Sequence, residues 1–298
     1  FYKSGAQGRF MRLRFNSIPM DQPGRYFYLR DMESKDYWSA SWQPVGKPLD
    51  KYKSICRHGT AYSIFETEYE GIKSEAKYFV PLGQTFEYWR LKVTNTGSKA
   101  RKLRAFTYCE FSNQWNTTQD QVNLQYSIFI CKGEKAKENM LRYSIHENLY
   151  LQHQKNPAIG DYMSEWMALV GQPMTGYDTD RQSFIGTYGS YKEPDSVING
   201  ECKNSNAYGD NICGSMQSDI ELAPGETKEL VVLLGIGDAN VEGEKAVKEF
   251  GSIAKCDEEF DKLVKAWHAK LGSLNVKTPD EDINHTVNVW GLYNCLIT

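Results

Sequence analysis

No apolar run in this 298-residue chain approaches the roughly eighteen residues that a membrane-spanning helix needs. There is no basic surplus either: 35 Lys and Arg stand against 38 Asp and Glu, a formal net charge of −3. That removes the electrostatic footprint of a nucleic-acid binder. A CxxC pair is missing, and the seven cysteines are scattered and odd in number. They read as reduced thiols rather than a disulfide framework, with Cys202 and Cys213 as a pair that could bridge across a Gly/Asn-rich loop. Histidine is scarce, with 5 residues. His146 and His153 are seven apart, without a carboxylate or cysteine pattern beside them, so neither a metal nor a cofactor is expected. A starting methionine and the apolar core of a signal peptide are also lacking. The chain therefore reads as cytoplasmic and as beginning in mid-sequence.

What the chain does have is β punctuation. From Phe10 to about Leu234, short aromatic and branched runs alternate with Gly, Pro, Asn and Asp clusters. Strands are expected over 25–30, 37–42, 60–69, 72–80, 86–94, 101–111 and 164–170. Glu70-Gly71 forms a tight turn, and Pro81 ends a strand because it cannot donate to a ladder. The 86–94 and 101–111 segments read as a pair about Asn95-Thr96-Gly97-Ser98. Residues 216–222 and 229–235 read as a final hairpin about Ala223-Pro224-Gly225-Glu226. Residues 176–181 read as a polar turn and 199–214 as a long loop. Antiparallel strands with turns at such short intervals point to a sandwich, not a Rossmann-type sheet.

Near Asn240 the period changes. Val247, Phe250 and Ile253, then Phe260, Leu263, Val264, Trp267 and Leu271, recur at helical spacing. Asp257, Glu258 and Glu259 are expected in the first turn of the second helix, where negative charge suits the dipole. A further helix is expected to start with Thr278 as cap and Pro279 at its first position. Ile283, Val287, Trp290 and Asn294 would mark one face, an apolar stripe left uncovered. The expected division is a sandwich over 1–237, a helical linker over 238–277, and the first helix of a further domain over 278–298.

The stretch YCEFSNQWNTTQDQVNLQY (108–126) joins two apolar runs through a segment dense in amides. Amides donate and accept hydrogen bonds, as sugar hydroxyls require, and the Trp115 indole offers a face for a pyranose ring. The same composition also suits an ordinary polar loop with Trp115 in the core.

Nine strings in one order resemble the amino-terminal half of cellobiose phosphorylase and its relatives in glycoside hydrolase family 94. They are GRYFYLRD (24–31), WSASWQPV (38–45), CRHG (56–59), YFVPLG (78–83), TNTG (94–97), YCEF (108–111), GYDTDRQSFIG (176–186), LAPGE (222–226) and VNVWGLYNC (287–295). The resemblance implies a mainly β fold, a large antiparallel mutarotase-like supersandwich, followed by a helical linker into an (α/α)6 barrel that this sequence lacks. It implies phosphorolysis of a β-linked disaccharide to an α-sugar 1-phosphate, with inorganic phosphate as co-substrate and an aspartate general acid in that missing barrel. This segment alone would then be inactive. The resemblance further implies a homodimer in which the 112–126 loop reaches the partner's active site, with Trp115, Asp120, Asn123 and Gln125 as substrate-binding residues. Tyr126-Ser127 departs from the arginine that cellobiose phosphorylases tend to carry there. Glucose, N-acetylglucosamine and gluconate thus stay open as acceptor sugars.

Other chemistry-bearing residues have plainer readings. Arg57 and His58 could touch phosphate or sugar, but read rather as structural, beside the strand starting at Thr60. Asp178, Asp180 and Arg181 read as an Asx-turn network with a surface ion pair. Glu110, at the loop's root, reads as a buried acid that supports the loop, and Trp38 and Trp42 as core. A free-standing carbohydrate-binding domain fits the same loop. A complete epimerase would need a histidine and a carboxylate facing one cleft, and the spacing of His58, His146 and His153 does not suggest it.

Overall fold

The computed structural model describes residues 23–111, 131–145, 164–209 and 211–297. Among them the strands are β1 (Tyr26–Asp31), β2 (Tyr37–Ser39), β3 (Lys53–Gly59), β4 (Tyr62–Tyr69), β5 (Ile72–Phe79), β6 (Phe86–Asn95) and β7 (Arg101–Glu110). There follow β8 (Cys131–Lys137), β9 (Met140–Ile145), β10 (Glu165–Val170), β11 (Gly176–Asp180), β12 (Ala207–Tyr208), β13 (Ile212–Leu222) and β14 (Thr227–Ile236). They form a smaller sheet, ordered β11-β13-β7-β1-β2, and a larger one, ordered β12-β8-β9-β10-β14-β6-β5-β4-β3. All pairings between these strands are antiparallel. The expected mainly β sandwich is what is found.

Strand position explains strand composition. β1, YFYLRD, is buried along its whole length because it lies between β7 and β2 and is covered on both faces. β3, KSICRHG, is the outermost strand of the larger sheet and almost wholly exposed. Its lysine and arginine suit an edge, where charge discourages pairing with another chain. The β4–β5 turn expected at Glu70-Gly71 is present, with both residues at positive φ (48° and 75°), as a two-residue hairpin turn requires.

Two expected pairs are not pairs. β6 bonds to β5 and β14, whereas β7 bonds to β1 and β13. The turns at Asn95–Ser98 and Ala223–Glu226 are therefore crossovers that carry the chain from one sheet to the other. Apolar alternation is the same for a hairpin and for such an arch, so the pattern could not separate them. Asn95 joins the two arches. Its Nδ2 donates to the carbonyls of Lys99 (2.7 Å), Leu222 (3.2 Å) and Ala223 (3.3 Å). Its backbone bonds to Glu226 and Gly225.

The sandwich interior holds Phe27, Leu29, Trp89, Leu91, Leu169 and Val232, among others. Trp38 is buried there and Trp42 packs against it, as expected, although the strand ends at Ser39 and Trp42 occupies a positive-φ turn. The outer face of the larger sheet is covered by α3 (Glu244–Phe250) and α4 (Ile253–Leu271). α4 starts from Ser252, whose side chain accepts from the Lys255 amide at 3.1 Å, and buries Cys256, Glu259 and Leu263. Asp257–Glu259 fall beyond its first turn, a correction to the expected charge placement; Asp257 instead pairs with Arg90 of β6. The smaller sheet's outer face is covered by the segment holding α1 (Arg181–Ile185) and α2 (Asp195–Asn199).

The helical segment after Lys277 begins two residues later than expected. Asp280, not Thr278, caps α5 (Glu281–His285), accepting from the amides of Asp282 and Ile283. A π-helical stretch (Thr286–Gly291) continues into α6 (Leu292–Ile297). Asn284 and Asn288 each clamp the preceding chain through two bonds, to the backbone N–H and C=O of Thr278 and of Val276. Ile283, Trp290 and Leu296 are exposed.

Candidate functional site

β7 delivers Glu110 to the smaller sheet's outer face, immediately before residues 112–130. Trp115, Asp120, Asn123 and Gln125 lie outside the described residues, as do His146 and His153. What the structure describes is the root from which that segment leaves.

At this root Glu110 is 2% exposed. Its Oε1 accepts from Tyr108 OH (2.9 Å), Tyr191 OH (2.5 Å) and Arg181 Nε (2.9 Å). Strand alternation places Tyr26, Tyr28, Phe106 and Tyr108 on the same face, and α1 lays Phe184 flat on Tyr108, with ring centroids 5.0 Å apart. Tyr28 OH donates to the Tyr191 carbonyl at 2.8 Å, which fixes the strap that carries Tyr191. The Arg181 guanidinium lies 5.2 Å from the centre of the Tyr191 ring.

The electrostatics follow from burial. Desolvation, reinforced by Glu110, pushes the Tyr191 phenol up to about 12, and it holds the Tyr108 phenol well above its usual range. Desolvation alone would make Arg181 less basic, but Tyr108, Glu110 and Tyr191 outweigh it and leave the guanidinium firmly charged. A carboxylate that receives three donors beside a fixed cation is a poor proton donor and a good anchor. Glu110 is thus buried with partners, as its sequence position suggested.

Asp178 and its neighbours depart from expectation. Gly176–Asp180 is strand β11, not a turn, and its ladder shifts register between Asp178 and Asp180. Asp180 is the Asx cap that was expected, accepting from the Ser183 amide at 2.9 Å and the Ser183 hydroxyl at 2.6 Å. Asp178 is fully buried, not on a polar surface. Its carboxylate accepts from Ser205 Oγ (2.7 Å), Ser196 Oγ (3.0 Å) and the amides of Lys203 and Ser205 (both 3.1 Å), and so ties α2 to the loop that follows it. Arg181 makes its ion pair with buried Glu110, not at the surface.

Arg57 pairs with Glu66 across β3 and β4, a structural contact as expected. His58 Nδ1 meets Ser63 Oγ at 2.8 Å. All seven cysteines are free thiols, Cys202 and Cys213 included. Sequence reasoning passed over Tyr108, Tyr191 and Arg181 as partners of Glu110. Arg181 and Tyr191 are 71 and 81 residues away, so no local spacing announces them.

A large and a small antiparallel sheet, each covered on its outer face, with a polar anchor where β7 ends, define the chain as a supersandwich module. It belongs to the glycosyl hydrolase 94 supersandwich family, whose model matches residues 1–253. The chain is 34% identical over 293 residues to N,N'-diacetylchitobiose phosphorylase of Vibrio proteolyticus and 32% identical to that of Vibrio furnissii, each match covering 98% of this chain and 35% of the relative. It is 28% identical over 269 residues to solabiose phosphorylase of Paenibacillus borealis, covering 89% of this chain and 33% of that one. The chain therefore spans about a third of the length of these curated relatives.

Proposed function

We propose that the chain is the sandwich portion of an inverting phosphorylase that splits a β-linked disaccharide with inorganic phosphate, giving an α-sugar 1-phosphate and a free sugar. The observation that carries this reading is that the chain aligns along almost its whole length with phosphorylases of different disaccharides. In this reading the acid that protonates the leaving oxygen belongs to a following (α/α)6 barrel, into which the helices after Lys277 lead. Phosphate takes the place of the activated water of an inverting hydrolase. No cofactor is required, and the enzyme works in the cytoplasm as a homodimer. Its 112–126 loop, carrying Trp115, Asp120, Asn123 and Gln125, reaches the partner's sugar site. The Glu110–Arg181–Tyr191 anchor supports this assignment, because a loop that must hold a sugar needs a fixed root.

The test is phosphorolysis by the full-length protein, read as sugar 1-phosphate formed from phosphate and a series of β-linked disaccharides. N,N'-diacetylchitobiose comes first, because the Vibrio relatives are phosphorylases of it. Activity on one or more disaccharides is expected, together with a raised KM in Gln125→Ala and none in the 1–298 polypeptide alone. A full-length protein that releases no sugar 1-phosphate from any of them overturns the reading, as does phosphorolysis by residues 1–298.

A further inference from the structure

Cys56, His58 and Ser63 form a hydrogen-bonded chain on the exposed edge of the larger sheet. Cys56 and His58 are two residues apart on β3, so their side chains leave on the same face. That face carries Phe65, whose ring meets the His58 ring edge-on at 6.2 Å. Cys56 Sγ lies 3.2 Å from His58 Nε2. His58 and Ser63 are directly opposite in the β3–β4 ladder, which puts Ser63 Oγ 2.8 Å from His58 Nδ1. In the tautomer protonated on Nδ1, the ring donates to Ser63 and its Nε2 is free to accept the thiol proton. This is the geometry of a nucleophile, its base and the group that orients the base.

The charged neighbours do not intrude on this chain. Lys53 pairs with Glu68 and Arg57 with Glu66, on the opposite face of β3 and β4. The other thiols are placed differently. Cys109, Cys131, Cys202, Cys213 and Cys256 are buried, and burial pushes Cys256 up to about 12 and Cys109, Cys202 and Cys213 well above the usual thiol range. Cys295 is exposed, like Cys56.

We propose that Cys56 is a thiol–disulfide exchange site, reversibly modified by low-molecular-weight disulfides with His58 as its base and Ser63 positioning that base. Nε2 of His58 takes the thiol proton, and the Cys56 sulfur attacks one sulfur of the small disulfide. The disulfide's S–S bond breaks as the Cys56–S–S bond forms, and the departing thiolate recovers the proton from the imidazolium. One disulfide is exchanged for another, so no outside oxidant is needed. Partial desolvation holds the Cys56 thiol somewhat above its ordinary range, so little thiolate exists at neutral pH and the imidazole is what makes the sulfur nucleophilic.

The test treats the protein with glutathione disulfide and follows each cysteine by peptide mass spectrometry. Cys56 is expected to react roughly tenfold or more faster than Cys295 at neutral pH, the scale of modest general-base assistance. His58→Gln should remove most of that advantage and move the rate's pH profile up toward that of an unassisted thiol. Ser63→Ala should remove part of it. In denaturant the two cysteines should react alike, since the advantage comes from the ladder register. Equal rates in the folded protein overturn the proposal, as does a His58→Gln rate and pH profile matching the parent or an advantage that survives denaturant.

Discussion

The two outer faces of the sandwich are sealed by opposite means. Over the larger sheet, α3 and α4 cover Phe79, Phe86, Tyr88, Trp166, Val231 and Leu233, and the charges there include Lys77, buried over the Phe260 ring at 4.1 Å, and Arg90, buried with Glu229 at 2.8 Å. Over the smaller sheet the cover is two five-residue helices and irregular chain, and the buried rings are largely tyrosines whose hydroxyls converge on polar groups. An apolar seal is non-directional and tolerates small shifts of the helix above it. A seal made of hydrogen bonds to one carboxylate fixes position, because each bond has a preferred length and angle. The directional seal lies where the 112–130 segment leaves the sheet.

Glu110→Ala should be the most damaging single change to either face. It strands Arg181 and two tyrosine hydroxyls in a buried site, at a cost of about 3–5 kcal/mol, read from denaturant unfolding. A loss under about 1 kcal/mol would mean that the anchor is as weak as a surface pair. Leu263→Ala on the apolar face removes only a buried isopropyl group and should cost about 2–4 kcal/mol. If it proved costlier than Glu110→Ala, the contrast between the seals would be reversed.

A pH titration tests the tyrosine anchor on the smaller-sheet face. The Tyr191 phenol is held at about 12 against its ordinary 10.0. A raised phenol stabilises the fold fully below the unfolded value, and that contribution is lost as pH rises from about 10 towards 12. Alkaline unfolding followed across this window should be shallower in Tyr191→Phe and unchanged in Leu263→Ala. The smallest effect belongs to the interior between the faces. Among the described residues Tyr78 OH is buried without a hydrogen-bond partner, so Tyr78→Phe should stabilise by about 1 kcal/mol or less. A clear loss in thermal unfolding would show that the hydroxyl has a bound partner in solution.

These contrasts also explain what could be read from the sequence. β1 was legible as an unbroken aromatic run because it is covered on both faces, and α4 because burying one face imposes a helical period on its apolar residues. β3 was not, because an exposed edge strand buries neither face, and its lone large apolar residue, Ile55, sets up no alternation. β11 read as a turn because Asp178, Thr179 and Asp180 bond to the loop and cap around them, where a strand's pattern would call for apolar side chains. Glu110 was identified as a buried support from its place beside the loop, but its partners arrive through the third dimension. The sugar-contacting residues proposed for 112–126 came from family resemblance, which local physics alone could not supply.

Asn95 carries one more consequence. Its amide bonds to Leu222, 127 residues further along the chain. Closing an excursion of that length costs about 4 kcal/mol of chain entropy by the logarithmic rule, more than a few neutral hydrogen bonds return on balance. The amide therefore cannot be what draws the two arches together. It works as a latch, engaging only once the sheets have docked and holding the corner in register afterwards.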